Sequence, residues 1–553
     1  MQGMMEKNKW WLLRAVMFLG LLMVPHRVNN DTWFLLNHGR YVMENGIPHI
    51  EPFTIHEGMH FVMQQWLSSV VFWLEYEQGG LEGLYLSCVA IAAVFILSIH
   101  YLFKTINSEE RVIIPFVAVI GMMSATFMVG RPWIFSSLFL LWEVIFLEKY
   151  AIANRKNYLL ALPVVSLLLI NFHAAMWPMA FVMLLPYIAE WLADNKLNFN
   201  NIQQTRYSLS PILIAAMLMV IAACINPYGF EAMTYLTHSY GVDLIDDNIN
   251  EMQPANIRDI SGKKFFLLSA WMIVLISRCK ISMRYVLLSL GTGYLAVTSI
   301  RGLMLFLLVG LLPAVSCINM ESVDKYMKRE NADSFSPKKS YTFLLAMLLL
   351  TALVYAKKQN ALNEIIDKVP AVLLTVGLVA LLAVIFRVLL SIRRYGLSSR
   401  RSYKAAASIL LFIYIYGAGL MWVGSHVLKE MKEPKSKPAV EFLLGQVENK
   451  NSIRLWNGYG EGNYLEWRGI PCYIDARAEV FLEENNGQKN YLKEYFDLED
   501  GKITYQEVLP QYKFTHILAS KDCLLFRYLA YDGDYDLIFE DGNYRLYKVR
   551  GND

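Results

Sequence analysis

Apolar runs, too long and too many for one soluble core, dominate this chain. The hydrocarbon layer of a bilayer takes roughly 20 apolar residues per helix, fewer where helices pack together. By that rule the sequence predicts about thirteen spans, centred near residues 17, 92, 120, 140, 164, 182, 217, 271, 292, 309, 348, 380 and 414. Composition agrees, with 55% hydrophobic and 18% charged residues and a mean hydropathy of +0.33. The expected fold is mainly α: a polytopic transmembrane helical bundle over residues 1–429, followed by an α/β domain over 430–553. The formal charge of +3 spreads no basic field over 553 residues, which argues against nucleic acid as a partner.

The basic residues assign the two sides of the membrane. With a cytoplasmic N-terminus, the cytoplasmic loops carry Lys104 and Arg111, Lys149 to Lys156, Lys196 and Arg206, Arg278 to Arg284, Lys325 to Lys339, and Arg393 to Lys404. The opposite loops are acidic or mixed, and the first of them, from about residue 26 to 80, holds Asp31, Glu44, Glu51, Glu57, Glu75 and Glu77. An odd number of spans then puts the C-terminal domain outside the cell membrane as well. Lys7, Lys9 and Arg14 around Trp10–Pro25 resemble a signal peptide, but no small-residue cleavage site follows, so the segment reads as a retained anchor.

Within the first outer loop, Thr32–Glu44 and Phe61–Tyr76 have the spacing of amphipathic helices lying along the interface. Gly46-Ile47-Pro48 and Glu51-Pro52-Phe53 break the chain between them. In the tail, Ile453–Trp456, Cys472–Ile474, Phe514–Ala519 and Asp536–Phe539 read as strands, and Gly462–Trp467 and Tyr491–Phe496 as helices. Asp541-Gly542 predicts a hairpin into Arg545–Val549. No CxxC pair or histidine at ligand spacing marks a zinc site among the six cysteines. Cys472 and Cys523, in the polar tail, can pair or stand as two buried thiols.

The unusual polar residues at span ends collect on the outer side. They are Asp31, Glu51, Arg131 in Gly130-Arg131-Pro132, Asn171 and His173, Asn226 in Asn226-Pro227-Tyr228-Gly229, Glu251, and Arg301. Each has a plain alternative. Asp31 reads as the N-cap of a helix from Thr32; Glu51 as a solvated turn carboxylate before Pro52; Arg131 and Arg301 as side chains reaching for headgroups. His173 reads as an interfacial histidine with its hydrogen bonds met, Asn226 as a helix ender, and Glu251 as a solvated acid. Together, however, carboxylates and arginines on one membrane face offer a base for a hydroxyl and cationic donors for a phosphate.

The run from Asn30 to Arg40, with Asn45-Gly46-Ile47-Pro48, Glu51-Pro52-Phe53-Thr54 and Gln65-Trp66-Leu67, resembles the first outer loop of a bacterial family related to the GT-C glycosyltransferases. That wider class includes protein O-mannosyltransferases and lipid A aminoarabinose transferases. Gly130-Arg131-Pro132, Asn171-Phe172-His173, Asn226-Pro227-Tyr228-Gly229, Arg301, Gly462–Trp467 and Ile474-Asp475-Ala476-Arg477 extend the resemblance along most of the chain. It implies a sugar donor linked to polyprenyl phosphate, and a first-loop acid, Asp31, as catalytic base. Family members usually carry Asp at Glu51, Glu at Gln65 and Trp at Met252.

The resulting expectation is a membrane glycosyltransferase that moves a sugar from a lipid-linked donor to an extracytoplasmic acceptor. Asp31 and Glu51 are its candidate catalytic residues, while Arg131, Asn171, His173, Asn226, Glu251 and Arg301 are its candidate substrate-binding residues. No residue set is assigned to a metal, although Asp31 or Glu51 offers a carboxylate to a divalent cation such as Mg or Mn. The expected partners are the lipid-linked donor and membrane lipids; the acceptor is not identified by any residue. The alternatives are a transporter or flippase, or a non-catalytic assembly protein, for envelope glycan precursors. Asp475 and Arg477 read as an internal ion pair.

Overall fold

The computed structural model describes residues 21, 24–107, 109–195, 207–238, 241–254, 256, 262, 265–266, 268–270, 281–317 and 433–551. Asn29 opens helix α1 (Asn30–Asn45) by accepting a hydrogen bond from the Asp31 amide at 3.0 Å, so Asn29 is the cap and Asp31 stands in the first turn. A carboxylate is favoured there by the unpaired amides of the helix start. Helix α1 packs along α2 (Trp66–Ile106), and Gly39 makes the approach feasible: a Cβ there would lie 2.1 Å from the Ser69 carbonyl oxygen. Helix α2 bends at Gly80, where φ is 61°.

The second interfacial helix differs from expectation. It begins at Trp66 and runs on into the next apolar segment, while the stretch before it pairs backbone to backbone. Ile50 bridges His60, and Thr54 bridges Cys472 of the C-terminal domain. That pairing satisfies the amides of a Pro-broken segment that cannot continue a helix.

The bundle continues with α3 (Glu110–Ser124), α4 (Trp133–Ala153), α5 (Leu162–Phe172), α6 (Trp177–Asn195), α7 (Leu209–Ala223), α8 (Met283–Thr298) and α9 (Gly302–Val309). Helices thus occupy the positions expected near residues 92, 120, 140, 164, 182, 217, 292 and 309. The spans expected near 17, 271, 348, 380 and 414 lie outside the described residues. Trp66–Ile106 and Ala174–Asn195 are long and apolar enough to cross a membrane; Phe116–Phe127, Lys156–Phe172, Leu209–Ala223 and Gly302–Cys317 are apolar but shorter.

One end of the bundle is tied by charge. Arg284, at the start of α8, meets Glu148 of α4 at 2.9 Å and Glu190 of α6 at 2.8 Å. Tyr187 and Tyr285 donate to Glu148, each at 2.7 Å, and Tyr207 donates to Glu190 at 3.1 Å. Arg284, read from sequence as a loop charge, is therefore a buried clamp. Its two carboxylates and three phenols bring four segments together.

The C-terminal domain comprises α10 (Lys437–Gln446), β1 (Leu455–Trp456), α11 (Gly462–Trp467), α12 (Tyr491–Glu499), β2 (His516–Ser520), β3 (Tyr535–Glu540) and β4 (Tyr544–Val549), with shorter helical turns between them. The sheet order is β1-β2-β4-β3, β1 and β2 running parallel and the other pairs antiparallel. Asp541 shapes the expected hairpin by accepting from the amides of Asn543 and Tyr544, both at 2.7 Å. Trp456, Tyr473, Phe481, Phe514 and Tyr547 fill the core. Cys472–Ile474, expected as a strand, contributes a single bridge instead, and Cys472 and Cys523 are two separate buried thiols.

Candidate active site

Asp31 and Arg131 meet where the start of α1 crosses the turn before α4. Thr32 fixes that crossing, its hydroxyl donating to the Gly130 carbonyl at 3.1 Å. Arg131 then reaches Asp31 Oδ2 through Nη2 at 2.6 Å and Glu251 Oε1 through Nη1 at 2.7 Å. Glu251 passes its other oxygen to Arg301 Nε at 3.2 Å. Backbone contacts lock the second half of this chain, since the Ser299 hydroxyl and the Arg301 amide both donate to the Glu251 carbonyl, at 3.1 and 3.3 Å. Acid, base, acid and base alternate over four segments that are distant in sequence.

The two carboxylates differ in proton affinity. Burial pushes Asp31 up, and although Arg131 pulls it down, Glu251 adds to the rise and the group stays above its ordinary value. Burial also pushes Glu251 up, but Arg131 and Arg301 together hold it below the usual carboxylate range. Asp31 is therefore the better proton acceptor of the pair. Its side chain and that of Arg131 keep 20% and 18% exposure, enough to meet a ligand.

His173 borders the same cluster. Its Nδ1 lies 2.9 Å from the Ser136 hydroxyl, its ring meets Trp133 edge-on, and the charges of Arg131 and Arg301 both reach it. The C-terminal domain closes another side, where Asn30 donates to the Gly460 carbonyl at 2.9 Å. The neighbouring Tyr459 phenol feels the charges of Asp31 and Arg301. Neither Gly460 nor Tyr459 carries a signal in the sequence, because the contact joins segments 430 residues apart.

The remaining candidates stand elsewhere or are already engaged. Asn171 accepts from Trp66 Nε1 at 3.1 Å and donates to the carbonyls of Leu167 and Ile225, both at 2.9 Å. Asn226 donates to the carbonyls of Ala223 and Gly229 at 2.7 and 2.9 Å and accepts from the Tyr228 amide at 2.8 Å. It ends α7, as the plain reading had it.

Glu51 is not a solvated turn residue and does not join Asp31. Both of its oxygens bind Arg477, at 2.9 and 3.2 Å. Arg477 also takes Asp475 at 2.5 Å and Glu466 at 3.2 Å, with His38 Nε2 at 3.2 Å from Nη1. The internal pair Asp475–Arg477 is thus the centre of a buried five-residue network that docks the C-terminal domain on the first loop. Burial raises Glu51 and Glu466, whereas Asp475, though burial works against it, is held low by Arg477.

The same contacts test the fit of a divalent cation. Ligand atoms of Glu466, Cys472 and Asp475 lie within 4.8 Å of one another, but the Arg477 guanidinium already stands against both carboxylates. At Asp31 a cation would face Arg131. Neither set suits a metal.

This bundle, whose remote turns converge on an acid–guanidinium chain beneath a small α/β domain, shares its overall fold with solved structures of ArnT and of an oligosaccharyltransferase, in line with the sequence resemblance. The structure is similar to ArnT from Cupriavidus metallidurans in the apo state, with a TM-score of 0.55 and 12% identity over 98% of each chain. It is similar to that ArnT bound to undecaprenyl phosphate, with a TM-score of 0.54 and 12% identity over 99% of this chain and 98% of the other. The Archaeoglobus fulgidus oligosaccharyltransferase, tethered with an acceptor peptide, aligns with a TM-score of 0.56 and 10% identity over 93% of this chain and 69% of its own. No protein-family model matches the sequence, and no curated protein matches it.

Proposed function

We propose that the chain is a membrane glycosyltransferase that moves a sugar from a polyprenyl-phosphate-linked donor to an acceptor on the extracytoplasmic side. The observation that carries this reading is the Asp31–Arg131–Glu251–Arg301 chain. In the proposed reaction an acceptor hydroxyl attacks the anomeric carbon, its proton passes to Asp31, and the bond from that carbon to the phosphate oxygen breaks. Polyprenyl phosphate leaves with the bonding electrons. Arg131 and Arg301 hold the phosphate and stabilise its growing charge. Glu251 keeps the two guanidinium groups in register and His173 borders the sugar side, while Asn171 and Asn226, held in their own hydrogen bonds, stay outside the reaction. The ArnT bound to undecaprenyl phosphate supports the choice of lipid carrier.

The test is transfer by the purified full-length protein from polyprenyl-phosphate-linked sugars. A general base contributes roughly 10²–10⁴-fold, so Asp31→Asn should lose that factor. Equal turnover by both proteins would remove Asp31 as base, and no turnover by the wild type with any such donor would remove the reaction.

One residue favours a second reading, movement of a lipid-linked precursor. Glu143, midway along α4, is fully buried, and neither carboxylate oxygen has a hydrogen-bond partner among the described residues. Ionisable groups at such a depth mark relays and translocation paths. Proteoliposomes should then show flipping of a labelled polyprenyl phosphate that Glu143→Gln abolishes; no flipping by the wild type refutes it.

A further inference from the structure

Arg40 lies on α1 nine residues after Asp31, about 13 Å further along the helix axis. Its guanidinium stacks against the Trp467 indole at 5.0 Å and approaches the Trp73 ring at 5.9 Å. Its hydrogen bonds run from Nη2, to Asn37 Oδ1 at 2.7 Å and the Trp467 carbonyl at 3.5 Å, and no carboxylate pairs with it among the described residues. Lys450 stands nearby in the same condition, its ammonium donating to the Arg468 carbonyl at 3.2 Å. Arg468 is compensated by Glu441.

These three cations, with Trp467 and Gly469, line a cavity of about 310 Å³, and no acidic residue lines it. Two uncompensated positive charges therefore face one open space. Tyr76, Trp73 and Trp33 surround the Trp467 ring with centroids at 5.2, 6.1 and 6.0 Å. Trp73 and Tyr76 precede the bend at Gly80, and the apolar run of α2 follows it. Aromatic clusters at the start of an apolar helix mark the headgroup level of a bilayer, and basic side chains there attract anionic lipids.

We propose that this cavity binds the phosphate of an anionic lipid headgroup, gripped by Arg40 and Lys450 on the Trp467 face. With Nη2 engaged by Asn37 and the Trp467 carbonyl, Arg40 meets the phosphate through Nη1 and its full charge, and its stacking on Trp467 holds the guanidinium in place. The site is separate from the Asp31 cluster. It rests on the membrane reading above and does not depend on sugar transfer.

The full-length protein in detergent, titrated with phosphatidylglycerol or phosphatidylcholine and read by native mass spectrometry, tests the proposal. The wild type should retain phosphatidylglycerol in preference. Lys450→Gln, a change at an exposed residue, should weaken that binding about fivefold, and Arg40→Gln/Lys450→Gln about twentyfold or more. Arg40→Lys should restore part of the loss. Equal retention of both lipids by the wild type, or unchanged phosphatidylglycerol binding in the double variant, would overturn the site. Displacement of the lipid by millimolar inorganic phosphate would overturn its assignment to a lipid. Because the readout is lipid retention, a wild type that transfers no sugar refutes the proposed reaction and leaves this test intact.

Discussion

Arg131 holds Asp31 at 2.6 Å from a point one hundred residues further along the chain. The pair sets the protonation of the candidate base, and its partner Glu251 ties the same guanidinium to Arg301.

Removal of Arg131 should shift a pH profile in a defined direction. Asp31 acts as a base only when ionised, and burial already lifts its proton affinity above the ordinary carboxylate value, so turnover should fall as the pH drops through that raised value. Arg131 opposes the rise. Arg131→Gln should therefore move the acidic limb of kcat/KM to higher pH and raise the KM for the phosphate donor. A limb that stays in place would separate Arg131 from the base.

The network at Arg477 should behave as a structural joint. Arg477→Met strands Glu51, Glu466 and Asp475 in the interior and should cost about 3–5 kcal/mol at neutral pH, read as a fall in Tm. Glu51 and Glu466 bind protons more readily than ordinary carboxyls, so the deficit should shrink as the pH falls through their raised values. A deficit that grows on acidification would contradict this account.

At the far end of the bundle, roughly 25 Å along α4 from Arg131, Arg284→Met leaves Glu148 and Glu190 without their cation. The expected loss is about 3 kcal/mol or more in thermal unfolding. Affinity for the lipid-linked donor of the proposed reaction should match the wild type in the surviving folded fraction, because the clamp is remote from Asp31.

Gly39→Ala should loosen the seat of the whole site. The new methyl would fall on the Ser69 carbonyl and the Trp73 side chain, forcing α1 away from α2. Overpacking of this kind costs about 1–3 kcal/mol. A double readout of Tm and donor KM should show both worsening, since α1 carries Asp31. An unchanged Tm would rule out a close backbone approach of α1 and α2 at Gly39.

Much of the framework was legible in the residues themselves. Apolar runs located eight helices, Gly46 marked the end of α1, and Asp541-Gly542 marked the hairpin, because each of these depends on neighbours a few positions away, although the cap of α1 is Asn29 and not Asp31. The gathering of Asp31, Arg131, Glu251 and Arg301 was also readable, since charges at the same ends of successive helices share a face. Pairing was another matter. Glu51 sits 426 residues from Arg477, Asn30 sits 430 from Gly460, and no local preference distinguishes a solvated carboxylate from one locked to a guanidinium that far away. Sequence determined which charges exist and which side of the bundle they occupy. Only the tertiary structure decided which of them neutralise one another, as Asp31 and Arg131 do, and which, like Arg40 and Lys450, face open space. Coulomb energy depends on distance and burial, and both are properties of the folded chain.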